Sequence, residues 1–215
     1  MAEQLKAREL NNAQPKPRLG DILTTEQLTN KLKDAITKNM ASGFKIDWKS
    51  AMNLIDAGAD IEALNFFSRT ALMVAAAEGE VKVCKFLIEK GAKIDARDKR
   101  YWETPLIQAA QCGKNNVCRL LIEKGADVNA ANHGGWTALM YAASANDVVT
   151  CHLLLKSGAD EGIRNVTKNR AMDIAKSQKS MDAFYFLGSW KLRKSIGARA
   201  ARRFVASFRE CVKNG

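Results

Sequence analysis

A Gly-Ala pair recurs four times along the chain, at Gly58, Gly91, Gly125 and Gly158, with intervals of 33, 34 and 33 residues. Each pair opens a tetrad: GADI, GAKI, GADV and GADE. A fixed interval of that length is the mark of small units stacked side by side, each burying its apolar face on its neighbours. Such an architecture presents a long surface and has no single central cavity around which an enzyme site could be built.

The period holds at other positions. Thr70-Ala71-Leu72-Met73, Thr104-Pro105-Leu106-Ile107 and Thr137-Ala138-Leu139-Met140 are one interval apart, and each leads into an alanine pair: Ala75-Ala76, Ala109-Ala110 and Ala142-Ala143. The threonine hydroxyls stand where they can cap the free N–H groups of a helix start. Pro105 follows at the first helical position, where its missing N–H costs nothing. A second apolar run comes after a short break: Val83-Cys84 with Phe86-Leu87-Ile88, Val117-Cys118 with Leu120-Leu121-Ile122, and Thr150-Cys151 with Leu153-Leu154-Leu155. That spacing suits a helix buried on more than one side. Gly79 and Gly113 fall in the break, where a left-handed residue ends the first helix, and the tetrad glycines end the second. One unit is therefore a pair of short helices.

These residues carry a family resemblance. The pattern T-x-L-x-x-A-A-x-x-G, followed by V-x-x-L-L-x-x-G-A-D-V-N-A, resembles the ankyrin repeat, and Gly125 to Ala130 reproduces its most recognisable segment. The resemblance implies an all-α repeat solenoid of stacked helix-turn-helix units with short β-hairpin tips, slightly curved, with the tips and first helices on its concave, ligand-facing side. It covers residues 47–187, with full units at 65–97, 98–131 and 132–164, a degenerate first unit at 25–64 and a terminal unit at 165–188. Met73, Ile107 and Met140 stand where the family usually has His, so packing is expected to replace that residue's hydrogen bonds. One extra residue at 98–100 should make the tip near Tyr101 and Trp102 bulge. Arg170 takes the place of the capping threonine in the last unit, as befits a water-facing end.

On this reading the chain divides into a disordered segment at 1–20, a solenoid of about five units at 21–188, and a basic amphipathic helix at 189–215. The N-terminus lacks an apolar core of the kind a secretory leader needs, and no apolar run reaches the length of a membrane span. Thr25 is expected to cap a helix over 24–38 with Leu28, Leu32, Ala35 and Ile36 on one face; Asp47-Trp48 should open the next. Cys84, Cys118 and Cys151 occupy one place in successive units. Stacked helices lie about 8–10 Å apart, beyond the roughly 7 Å a disulfide allows, so the column reads as small buried hydrophobes in a reducing compartment, cytoplasmic or nuclear.

Function is sought in what breaks the period. Phe66 and Phe67, Tyr101 and Trp102, and Trp136 sit at successive tips, and stiff amphipathic rings dominate binding hot spots. Gln108, Gln111 and Tyr141, with Glu78 and Ser144, are expected on the first-helix surface as hydrogen-bonding partners. One ring of the Phe66-Phe67 pair should turn inward.

The tail is the second candidate. Residues 189–215 carry eight Lys or Arg against the single acid Glu210, a local charge of +7 within the chain's +11. Arg199, Arg202, Arg203 and Arg209 flank an apolar stripe of Ile196, Ala200, Phe204 and Phe208. Such a helix could dock on an anionic membrane or an acidic partner; nucleic acid is the least favoured target. Alternatively Trp190 and its apolar neighbours close the end of the stack.

Catalysis finds no support. His133 and His152 have no patterned acid partner, and Cys151 beside His152 cannot form a nucleophile–base pair, because adjacent helical residues point apart. The column of cysteines, one per layer, cannot converge on a metal. The expectation is a non-catalytic adaptor without cofactor or metal that binds another protein on its concave face, or one anchored through its arginine-rich tail.

Overall fold

A computed structural model describes residues 23–37 and 46–196. The described residues form an all-α solenoid of five helix pairs. Helices α1 (Thr25–Thr37) and α2 (Trp48–Asp56) make the first pair, followed by α3 (Ala71–Glu78) with α4 (Val81–Glu89), and α5 (Pro105–Gln111) with α6 (Asn115–Glu123). Then come α7 (Ala138–Ser144) with α8 (Val148–Lys156), and α9 (Ala171–Ser177) with α10 (Met181–Ile196).

The odd-numbered helices are the inner row. Their starts are the capping threonines: the hydroxyls of Thr70, Thr104 and Thr137 accept from the N–H of Met73, Ile107 and Met140. Those three apolar residues, in the family's His position, are buried, so packing does fill the place of that side chain. Ala75, Ala76, Ala109, Ala110, Ala142 and Ala143 are fully buried. With no bulk at the contact, neighbouring inner helices approach more closely than neighbouring outer ones, which is what curves a stack towards its inner face. Cys84, Cys118 and Cys151 lie fully buried in the outer row as free thiols beside Leu87, Leu121 and Leu154. Burial pushes each thiol up to about 12, so at neutral pH they behave as hydrophobes.

A ladder of side chain to backbone bonds sets one unit on the next. The Asp60 N–H donates to Thr29 Oγ1 (2.9 Å), that of Lys93 to Glu62 Oε1 (2.8 Å), that of Asp127 to Asp95 Oδ1 (3.1 Å) and that of Asp160 to Asn129 Oδ1 (2.8 Å). Gly162 takes the next acceptor position. It has no side chain, so the ladder stops there.

The two ends differ in detail from expectation. Thr24, not Thr25, caps α1: its Oγ1 accepts from the Gln27 N–H at 3.2 Å while Gln27 Oε1 accepts from the Thr24 N–H at 2.9 Å, a reciprocal pair. At α9 the cap is reversed. Asp173 in the first turn accepts from the Arg170 N–H and from its guanidinium at 2.9 and 3.1 Å. The Arg170 hydrogen bonds hold the Asp173 carboxyl down to about 2. Helix α10 runs without interruption across residue 189 to Ile196, so the tail begins as a continuation of the last outer helix. Trp190 packs on the core there, with Phe186 and His152 around it at 6.0 and 5.8 Å. The segment expected to be disordered (1–20) lies outside the described residues.

Candidate functional site: the edge of tips

The hairpin tips contain no strand among the described residues. One isolated antiparallel bridge, Ala131 with Thr137, is all that remains of the expected β-hairpins. The tips are instead closed by a single side chain each. Asn65 Oδ1 accepts from the N–H groups of Phe67 and Arg69, Asn132 Oδ1 from Gly134 and Trp136, and Asn165 Oδ1 from Thr167 and Asn169. Asp98 does the same with two oxygens: Oδ1 accepts from Arg100 and Tyr101 at 2.8 and 2.6 Å, and Oδ2 from Glu103 at 3.0 Å. An Asx side chain that bonds the backbone just ahead is a ready-made turn. Asn65, Asp98, Asn132 and Asn165 recur at 33, 34 and 33 residues. The signal was in the sequence, in step with the glycines, and sequence reasoning passed over it.

Each tip then needs one left-handed residue: Ser68, Trp102, Gly135 and Lys168 have φ of 61°, 65°, 71° and 64°. The residue follows the Asx by three positions in three tips and by four in the second. The extra residue expected at 98–100 is thus taken up inside the tip, and Asp98 gains a third N–H to hold it. The cost is a bulky aromatic, Trp102, in backbone space that side chains rarely occupy.

Neighbouring tips are joined. The His133 N–H donates to the Tyr101 carbonyl at 3.0 Å, and the Val166 N–H to the Gly134 carbonyl at 3.1 Å. Arg97 Nη1 donates to the carbonyls of Trp102 and Ala131 at 3.1 and 2.8 Å. Its guanidinium lies 5.5 Å from the Trp102 ring, and the His133 ring stacks on Trp102 at 5.5 Å with a 24° tilt. Beneath them the buried Glu103 carboxylate accepts from the Tyr141 hydroxyl (3.1 Å) and from Asn132 Nδ2 (3.3 Å). Burial and the Glu103 charge push the Tyr141 hydroxyl up to about 12.

The expected site residues are therefore divided. Phe66 stands 85% exposed at the first tip, with Phe67 half-buried and edge-on to it at 5.5 Å. Tyr101 and Trp102 are 48% and 46% exposed. Gln111 and Glu78 are exposed on the inner row, and Ser144 is half-buried. One placement is corrected, and two side chains are engaged with their neighbours. Gln108 is 1% exposed: its amide spans the unit boundary, and with its nitrogen assigned to face the Met73 carbonyl it donates there at 3.1 Å and accepts from Arg69 Nε at 3.3 Å. Tyr141 spends its hydroxyl on Glu103 and Asn132. Trp136 is half-buried and packs on Tyr141 with ring centres 4.9 Å apart. Gln108 is closed to a partner, while Tyr141 and Trp136 are half-buried and keep part of their surface at the edge. Arg199, Arg202, Arg203 and Arg209 lie outside the described residues.

Val166, at the fourth tip, was missed and is 71% exposed. Four large apolar side chains thus stand in water on three of the four tips, at 66, 101, 102 and 166. Elsewhere among the described residues such exposure is scattered singly, at Val81, Val149 and Met181, which is ordinary for a surface. No group of three or more His, Cys, Asp or Glu converges among the described residues, and no described helix is long and apolar enough to cross a membrane. His152 is edged by Phe186 and Trp190, and Cys151 beside it is held as a thiol by burial. The arrangement is suited to holding a surface against the tips.

A sequence model described as ankyrin repeats (three copies) matches residues 40–132 and 97–165. Among curated proteins, the chain is similar to the B-cell lymphoma 3 protein homolog of Mus musculus, 35% identical over 123 residues. That match covers 57% of this chain and 28% of the mouse protein, so the chain spans less than a third of the relative's length.

Proposed function

Since this chain belongs to the ankyrin-repeat family, whose repeats are protein-interaction modules and generally non-catalytic, we propose that it is an adaptor binding a partner protein along its edge of tips and the adjoining inner-helix surface. The observation that carries this reading is the set of exposed apolar side chains on the first, second and fourth tips, Phe66, Tyr101, Trp102 and Val166. Exposed rings cost free energy unless a partner covers them. They stand on turns held by Asx side chains, and the second, third and fourth tips are tied to one another, so little ordering remains to be done on binding. Gln111 and Glu78, exposed at the far ends of the inner helices α5 and α3, supply polar contacts on the adjoining inner-helix surface. An intracellular setting, cytoplasmic or nuclear, goes with the family's habit and with the column of free cysteines.

The test is photocrosslinking in cells with benzoyl-phenylalanine placed at position 66, 101 or 149. Val149 is the control, being 59% exposed on the outer helix α8. Capture of the same protein from positions 66 and 101 but not from 149 is expected. Capture from 149 alone would overturn the reading.

A further inference from the structure

The charges on the tips are sorted by sign. Arg69, Arg97, Lys99, Arg100, Arg164 and Lys168 lie on or beside the tips; Lys99, Arg100, Arg164 and Lys168 are exposed, and Arg69 and Arg97 are half-buried. The two acids among them, Asp98 and Glu103, are 1% and 4% exposed. Asp98 spends both oxygens on backbone N–H groups, and Glu103 spends Oε1 on Tyr141 and Asn132. Their charge faces inward. The carboxylate that pairs with tip cations among the described residues is Asp173, which holds Arg170 and lies 3.9 Å from Arg164. Lys99, Arg100 and Lys168 are exposed and make no salt bridge there. The loops that end the outer helices mix the signs, with Asp56, Asp60, Asp127 and Asp160 exposed among Lys90, Lys93, Lys124 and Lys156.

We infer that the tip edge takes an acidic polypeptide segment whose carboxylates alternate with apolar side chains. This rests on the reading of the tips as the binding edge and names the chemistry of what they bind. Charge complementarity of this kind sets partner choice and association rate more than final affinity. The apolar component follows from Phe66 and Val166, which have no charge to offer. Single-stranded nucleic acid would also bring anions, but it binds by stacking bases on open ring faces. Here the Trp102 ring already carries Arg97 and His133, and the Tyr101 ring carries the Arg100 guanidinium at 5.2 Å.

Fluorescence anisotropy on the full chain tests this with three labelled probes: a peptide alternating Glu with Leu and Phe, the same peptide with Gln for Glu, and single-stranded oligodeoxythymidine. The Glu peptide should bind most tightly, and the Lys99→Glu, Arg100→Glu, Lys168→Glu variant should lose about tenfold or more of that affinity. A control variant, Lys82→Glu, Lys124→Glu, Lys156→Glu, should retain it. All six lysines and arginines are exposed, and an unchanged melting curve for each variant shows that the fold is intact. The inference is overturned if the Gln peptide binds equally well, if oligodeoxythymidine binds more tightly, if both variants weaken binding alike, or if no probe binds. Crosslinking from positions 66 and 101 reads the edge without regard to charge. Capture there without a preference for the Glu peptide would sink the acidic partner and leave the edge standing; capture from 149 alone would sink both.

Discussion

Replacing Gly135 by alanine should destabilise the protein by about 2–4 kcal/mol, more than any other single glycine-to-alanine change in the tips or helix ends. Two effects combine. The backbone at Gly135 has φ of 71°, where alanine costs about 1 kcal/mol. The added Cβ would also stand 2.9 Å from Asn165 Cα and 3.2 Å from the Val166 nitrogen. These are backbone atoms of the next tip and cannot swing aside, so the bond from the Val166 N–H to the Gly134 carbonyl must give way. Gly125→Ala is the matched control. Its φ is 90° and the space around it is open, so the expected loss is only about 1 kcal/mol. Urea unfolding compares the two. Because a stack is held unit by unit, the Gly135 variant should also show the terminal unit melting separately, as a shallower transition. Equal losses at the two glycines would mean that the third and fourth tips do not touch.

Leu121→Ala should cost about 3–4 kcal/mol, within the range for a fully buried leucine that leaves a cavity. Leu121 is 0% exposed in α6, the middle outer helix, beside Val117 and Cys118. Units on both sides depend on this layer, so its loss is expected to lower the whole melting transition. Phe66→Ala, at an 85% exposed position, should change stability by no more than about 0.5 kcal/mol. The pair separates the two jobs of the chain: Leu121 holds the stack together, and Phe66 is available for something outside it. A large stability loss at Phe66 would show that the first tip is part of the core.

The scaffold was legible because its determinants are local and repeated. Threonine caps, alanine pairs, the cysteine column and the tetrad glycines each act within one unit, and a fixed interval exposes them. The tips were only half legible. Asn65, Asp98, Asn132 and Asn165 repeat as regularly as the glycines, but a side chain that closes a turn draws less notice than a ring at its apex. Gln108 could not be placed from its own helix, because its amide is satisfied by Met73 and Arg69 of the preceding unit. Trp136 and Tyr141 shield each other over Glu103, a residue of the unit before. What crosses a unit boundary depends on how closely two units approach, and no single repeat records that distance. The sign-sorting of the tip charges was hidden as well: Asp98 is turned inward by the N–H groups of its own tip and Glu103 by Tyr141 and Asn132 of the next unit.

The central claim is that the tips, not the outer helices, meet the partner. Hydrogen exchange of the chain, free and bound to the protein captured by crosslinking, tests it most directly. Slowed exchange is expected at 65–70, 98–104, 132–137 and 165–170, with α6 and α8 unchanged. Protection confined to α6 and α8, with the tips exchanging as in the free chain, would contradict it.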